Sequence, residues 1–208
     1  MAPRDTRGAL LQAGLDLFLE GGYDFVGTNA ILARAHAPRG SFYHFFEDKE
    51  SFALAVAEHY YEQHLPMLER FLLDETQAPL ARLRAYFEAL IQAFADGEFQ
   101  GGCLLGILGQ ELADRSAEAR DVLERLFARW RAHIALCLRE ACARGQLASS
   151  TDCDELAGFL LDGWEGALMQ MKLRKSAQPL EVFVRITFER LLVAPRAPDG
   201  ASSVDKLV

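Results

Sequence analysis

The chain has 208 residues, half of them hydrophobic, with a formal net charge of -8 and a pI of about 5.2. This excludes general disorder and leaves room for one substantial core, or for a small domain joined to a larger one. An acidic protein has no global attraction for nucleic acid, so any DNA contact must come from a local set of donors.

The first predicted helix runs from Arg7 to Glu20, with Leu10, Leu11, Leu15, Phe18 and Leu19 on its inner face. Gln12 and Asp16 interrupt its apolar run, so it reads as an amphipathic helix and not as a signal peptide. No stretch is long and apolar enough to cross a membrane. Four cysteines, Cys103, Cys137, Cys142 and Cys153, in a chain with a real core suit a cytoplasmic protein with reduced thiols. Gly21-Gly22 stops the first helix, and Tyr23, Phe25 and Val26 are expected to dock on its core. Thr28 is expected to cap a second helix that buries Ile31 and Leu32.

The segment His36-Ala37-Pro38 then breaks the pattern, and a third helix is expected over about Arg39 to Phe45. Two short helices around such a break form a helix-turn-helix, with Leu15, Phe18, Ile31, Leu32, Phe42 and Phe45 as its core. Arg39, Ser41, Tyr43 and His44 supply hydrogen-bonding groups on the third helix. Thr28 and Lys49, at helix starts, are placed to clamp a DNA backbone. Double-stranded DNA is therefore the leading partner. For Tyr43 alone, simple packing is an open alternative.

A fourth helix is expected from Asp48 or Lys49 to about Leu73, bent or interrupted at Pro66. Further helices are predicted over Pro79–Ala95, Cys103–Leu112, Ser116–Arg144, Thr151–Leu173 and Pro179–Val193. The fold class is all-α. A helix-turn-helix domain spans 1–50, a helical ligand-binding and dimerisation domain spans 51–194, and 195–208 form a disordered tail. No Gly-rich phosphate loop, metal-ligand cluster or nucleophile with an evident base is present in the sequence. Neither an enzyme nor a cofactor or metal site is expected.

The run from Thr28 through Ala33, then Pro38-Arg39-Gly40-Ser41-Phe42-Tyr43-His44-Phe45-Phe46 and Lys49-Glu50, resembles the signature of the tetracycline-repressor (TetR) family. The preceding GLDLFLEGGYDFVG is similar to that family's first helix and loop. The resemblance implies an all-helical homodimeric transcription regulator, usually a repressor, with Arg39, Ser41, Tyr43 and His44 on the recognition helix and Thr28 and Lys49 at phosphate contacts. One departure is His36, which stands where the family usually has Gly in the turn. Gly101–Asp114 and Asp162–Phe183 resemble the branch that responds to electrophiles and acrylate, the NemR and AcuR type. Here Ile107 replaces an Asn common in the branch.

Cys103 begins a helix, where unpaired backbone amides favour a thiolate that attacks electrophiles such as quinones and enals. A small buried hydrophobe is the alternative, and the branch resemblance favours the reactive reading. Lys172, in the second matching segment, is a candidate to approach Cys103; a solvated lysine is its alternative. A ligand pocket is expected among the central helices from Tyr86, Leu104, Leu108, Trp130, Trp164 and Met169, with Glu111 and Glu165 as polar groups nearby. The dimer surface is expected on the last two helices, from Phe159, Gly163, Gly166, Phe183 and Ile186. Gly163 and Gly166 are costly inside a helix unless close packing uses them. The expected mechanism is release from a near-palindromic operator when Cys103 reacts with an electrophile or oxidant, or when a small molecule fills the pocket. The alternative is a purely non-covalent inducer with a structural Cys103.

Overall fold

A computed structural model of the chain describes residues 5–193. Residues 1–6 are expected to fray; of these, Asp5 and Thr6 are instead the N-cap and first residue of a helix, while 1–4 and the expected disordered tail over 195–208 lie outside the described residues. The regular structure of the described residues is all helical, with no strand.

Helix α1 (Thr6–Gly21) starts where the Asp5 carboxylate accepts from the Gly8 amide at 2.9 Å. It ends at Gly22, which takes a left-handed φ of 79°. Leu10, Leu11, Leu15 and Phe18 form its buried face. In the loop that follows only Val26 is fully buried; Phe25 is 90% exposed, contrary to its expected docking. Helix α2 (Thr28–Arg34) buries Ile31 and Leu32. Gly27, not Thr28, occupies its N-cap, and no side chain caps it, because the chain enters from an extended Gly27 with Thr28 already in the first turn.

The turn after α2 is a Schellman motif. The His36 amide donates to Ala33 O at 3.2 Å and the Ala37 amide to Leu32 O at 3.0 Å. His36 sits at the left-handed position, φ 49°. His tolerates this geometry better than most residues, which is how the chain closes the turn without the usual Gly.

Helix α3 is a single turn, Phe42–Phe45. The expected start at Arg39 is not seen, because the Ser41 amide closes a turn on Pro38 O at 2.9 Å and Gly40 adds no helical preference. The short helix reassigns an aromatic. Phe46 leaves α3 in extended backbone and inserts its ring beside Phe42 and Phe52, at 5.7 and 4.8 Å between centroids. It is 6% exposed, whereas Phe45, expected in the core, is 38% exposed.

Helix α4 (Lys49–Leu72) opens with a capping box: Asp48 accepts from the Ser51 amide at 2.7 Å, and Ser51 Oγ accepts from the Asp48 amide at 3.2 Å. It runs through Pro66 without interruption. Pro66 and Glu62, whose carbonyl loses its donor, both face solvent, so water can serve that carbonyl. The remaining helices are α5 (Pro79–Asp96), α6 (Leu104–Leu112), α7 (Ala117–Ala143), α8 (Cys153–Arg174) and α9 (Gln178–Ile186). A π-helical turn, Thr187–Leu191, continues α9 where one α-helix had been expected to Val193. The α8 cap is Asp152, which accepts from the amides of Asp154 and Glu155, so the helix begins two residues after the expected start at Thr151.

Helix α4 packs on α1, α5, α6 and α7, and α8 packs on α7 and α9. It thereby joins the N-terminal three-helix unit to the larger body through one apolar spine, from Phe52 and Val56 to Leu68 and Leu72. The α5–α7 contact contains a buried guanidinium. Arg82 donates from Nε to Cys137 Sγ at 3.4 Å, from Nη1 to Asp74 O at 3.1 Å, and from Nη2 to the Glu140 carboxylate. A buried charge persists only when its donors are satisfied, and here three of them are.

Candidate nucleic-acid interface and sensing groove

The N-terminal unit presents a compact polar edge. Arg39 lies in the exposed turn before α3, Ser41 is half-buried at its N-cap, and Tyr43 and His44 project from the helix into solvent. Tyr43 is 67% exposed and rests edge-on against Phe42, which holds the ring out from the core. Thr28 is half-buried in the first turn of α2. Two neighbouring cations are engaged within the chain. Arg34 makes a bidentate pair with Glu20 at 3.0 Å. Lys49 points inward, donating to Tyr23 O at 2.6 Å with its ammonium 4.1 Å from the Tyr23 ring centroid. Desolvation pulls the Lys49 pKa down, against the pull of Asp24 and Glu111.

The unit is tied to the body at the α1–α2 loop. The Tyr23 amide donates to Glu111, on the last turn of α6, and Arg115 pairs with Asp24 at 2.9 Å. Gly22 makes this approach possible, since a Cβ there would lie 2.5 Å from Glu111 Oε1. Ser116 Oγ donates to the Glu50 carboxylate at the start of α4.

Along α6, from Cys103 at its start to Gln110, runs a groove of about 140 Å³ between α6 and α8. Cys103, Gly106, Ile107 and Gln110 line one wall, and Glu165, Leu168, Met169 and Lys172 the other. These two sets repeat every three to four residues, so each is one helix face. Cys103 holds the N-cap of α6 and is 4% exposed. Burial pushes its thiol well above the ordinary range and the Glu165 carboxylate adds to this; the Gly106 and Leu105 amides pull the other way and lose. The helix-start argument for a thiolate thus names a real effect that desolvation outweighs. Burial likewise raises the Glu165 pKa to about 7. Glu165 Oε1 is buried with no hydrogen-bond partner, and a Cβ on Gly106 would meet Oε2 at 2.6 Å. Gly106 therefore makes the space that the carboxyl occupies.

Of the residues expected to line a pocket, Met169 lies in this groove and is 53% exposed. Tyr86, Leu104, Leu108, Trp130 and Trp164 sit in the closed core, each 2% exposed or less. Tyr86 Oη is 2.7 Å from His64 Nε2, and Trp164 packs on Phe87 and Phe183. Glu165, Gly106 and Gln110 were not singled out together by sequence reasoning; the three-to-four spacing of 103, 106, 107, 110 and of 165, 168, 169, 172 is the signal that finds them.

On the outer side of α8 and α9, Phe159 and Ile186 are 62% and 45% exposed, beside the exposed Leu173 and Val182. Gly163 and Gly166 also face outward. Gly163 admits the Phe183 ring of α9, since a Cβ would meet it at 3.1 Å, whereas nothing of this chain lies within 4 Å of a Cβ on Gly166. Among the described residues no group of three or more His, Cys, Asp or Glu could hold a metal ion, and no helix is long and apolar enough to cross a membrane.

Comparison with known proteins matches this architecture. Residues 10–56 match the family model of bacterial regulatory proteins of the tetR family, and residues 79–187 match the tetracyclin repressor-like C-terminal domain. The chain is 40% identical over 185 residues to the transcriptional regulator AcuR of Cereibacter sphaeroides, covering 89% of this chain and 84% of that protein. It is 35% identical over 192 residues to the HTH-type transcriptional repressor DhaR of Mycobacterium sp. strain GP1, covering 92% and 95%. The crystal structure of the reduced form of E. coli NemR superposes with a TM-score of 0.83 at 29% identity, covering 93% of this chain and all of that one. With a helix-turn-helix unit at its N-terminus and the family's helical body behind it, the chain belongs to the TetR family of bacterial transcription regulators, which are DNA-binding proteins and not enzymes.

Proposed function

We propose that the chain is a homodimeric repressor that releases a near-palindromic operator when an electrophile, an oxidant or a small molecule acts at the α6–α8 groove. The observation that carries this reading is the position of α6. One end holds Cys103 in the groove, and the other holds the α1–α2 loop of the DNA-reading unit through Glu111 and Tyr23. A shift of α6 therefore pulls on the reader directly, besides acting through α4. Arg39, Ser41, Tyr43 and His44 are assigned to the major groove, with Thr28 at the backbone. The inward set of Lys49 favours a role in bracing the loop before any phosphate contact. The exposed apolar stripe through Phe159, Gly166, Leu173 and Ile186 supports a second copy packing there, which would set two readers one DNA turn apart.

In the covalent form of the switch, Glu165 takes the Cys103 proton as the sulfur adds to the β-carbon of an enal or quinone, and the proton passes on to the resulting enolate. Lys172, on the same groove wall, attracts the carbonyl oxygen of the reagent. A pKa of about 7 leaves Glu165 able to accept that proton near neutrality. The deep burial of Cys103 favours a second reading, in which the inducer binds non-covalently against Met169 and Lys172 and the thiol is packing.

A gel-shift titration against the DNA upstream of the protein's own gene, with reduced protein and then after brief treatment with an enal, tests both. Loss of binding in the wild type that Cys103→Ser resists supports the covalent form. Release of the Ser variant to the same extent removes Cys103 from the switch and leaves the non-covalent inducer. No operator binding by reduced protein at any near-palindromic site upstream would overturn the repressor reading.

A further inference from the structure

Two other cysteines, on different helices, meet at the α7–α8 corner. Cys142 lies on the last turn of α7 and Cys153 is the first residue of α8. Their sulfurs are 3.6 Å apart, and both are free thiols. Each thiol also faces a carbonyl of the intervening connection: Cys142 donates to Ala148 O at 3.4 Å and Cys153 to Thr151 O at 3.6 Å. A disulfide needs about 2.05 Å between sulfurs. Closing the remaining gap asks for side-chain rotation shared between two residues at helix ends, where the backbone is least constrained. The other two thiols are differently placed. Cys137 is occupied by Arg82 and Pro79 O on the α5–α7 seam, and Cys103 lies in the groove.

We propose that Cys142 and Cys153 form a modification site: a dithiol that closes to an intrachain disulfide under hydrogen peroxide, a two-electron oxidant. The half-buried Cys142 sulfur attacks the peroxide O–O bond, becoming a sulfenic acid and releasing one water after protonation. The Cys153 sulfur then attacks that sulfur and expels the hydroxyl, which leaves as a second water with the Cys153 proton. Each sulfur loses one electron and the hydrogen peroxide takes up both. The bridge joins the end of α7 to the start of α8 across a connection whose Leu147, Ala148, Thr151 and Asp152 form one wall of an apolar groove of about 530 Å³ facing Phe159. Oxidation therefore stiffens that wall. The proposal goes beyond the operator-release reading and does not depend on Cys103.

The test uses full-length protein treated with equimolar hydrogen peroxide, alkylated, and digested with trypsin. Cleavage after Arg144 separates the two cysteines into peptides 140–144 and 145–172, which stay joined only if the disulfide forms. The expected result is recovery of the joined pair, with two thiols lost per chain, reversal by dithiothreitol, and the same outcome in the Cys103→Ser, Cys137→Ser double variant. Mixing isotope-labelled with unlabelled chains shows whether the bridge lies within one chain. The loop is short, so the melting temperature should rise by at most roughly 5–10 °C on oxidation, and Cys142→Ser should abolish that rise. Separate peptides with both thiols intact, oxidation beyond the sulfenic acid without a bridge, or a bridge only between chains would overturn the proposal. Should a variant misfold, the wild-type peptide map still decides.

Discussion

Replacing Glu165 by Gln isolates the electrostatics of the groove. The carboxyl is largely enclosed between α6 and α8, and burial raises its pKa from 4.5 to about 7. Below pH 4.5 the group is protonated in both the folded and the unfolded chain, and it imposes no ionisation cost. As pH rises the unfolded chain ionises first, and stability drains away until the folded group ionises near pH 7. The interval from 4.5 to about 7, at ~1.4 kcal/mol per pH unit, corresponds to about 3 kcal/mol. Water reaches part of the groove, so this is an upper figure. Gln keeps the shape and cannot ionise. Relative to the wild type, Glu165→Gln should therefore gain about 3 kcal/mol near pH 8 and only about 2 kcal/mol near pH 6. Urea unfolding at several pH values and one fixed protomer concentration measures this gap, free of the contributions both proteins share. The same variant removes the base proposed to take the Cys103 proton, so the rate at which an enal alkylates Cys103 should fall. A stability gap that does not change with pH would refute the picture of a buried, reluctantly ionised carboxyl.

Other perturbations have equally definite outcomes. His64 is desolvated beside Tyr86 and Trp130, and its pKa falls from 6.5 to about 4. Its contribution is present above pH 6.5 and is lost as pH falls towards 4, so His64→Gln should flatten the decline in melting temperature between pH 6.5 and 5.5. Arg82→Ala leaves Cys137, Asp74 O and Glu140 without their donor and should cost about 3 kcal/mol in urea unfolding. Phe46→Ala should cost about 3–5 kcal/mol, because a buried ring is lost from the small domain's core. Phe45→Ala should cost well under half of that, and equal losses in denaturation would return Phe45 to the core.

Much of this protein was legible in its sequence. The three-to-four spacing of Leu10, Leu11, Leu15 and Phe18, the break at His36-Ala37-Pro38 and the start of α4 at Asp48 are local features, and local hydrogen bonding and periodicity decide them. The helical fold class, the order of elements and the polar set around α3 follow from such signals. The position of the turn at His36 was legible too, from the break at Pro38 and from the resemblance that puts a Gly there.

What the tertiary structure alone decided depends on which faces meet. Periodicity places Cys103 at a helix start but does not say that α8 closes over it, so the outcome of the contest between helix amides and desolvation is invisible in the sequence. The central aromatics Tyr86, Trp130 and Trp164 read equally well as pocket or as core, and only packing distinguishes an enclosed ring from a lining one. Phe45 and Phe46 are adjacent, and a single-turn α3 with an extended exit selects the second. Cys142 and Cys153 stand eleven positions apart on different helices. Only the antiparallel return of α8 along α7 brings their sulfurs together, because proximity across a turn is set by the packing of whole helices and not by spacing along the chain.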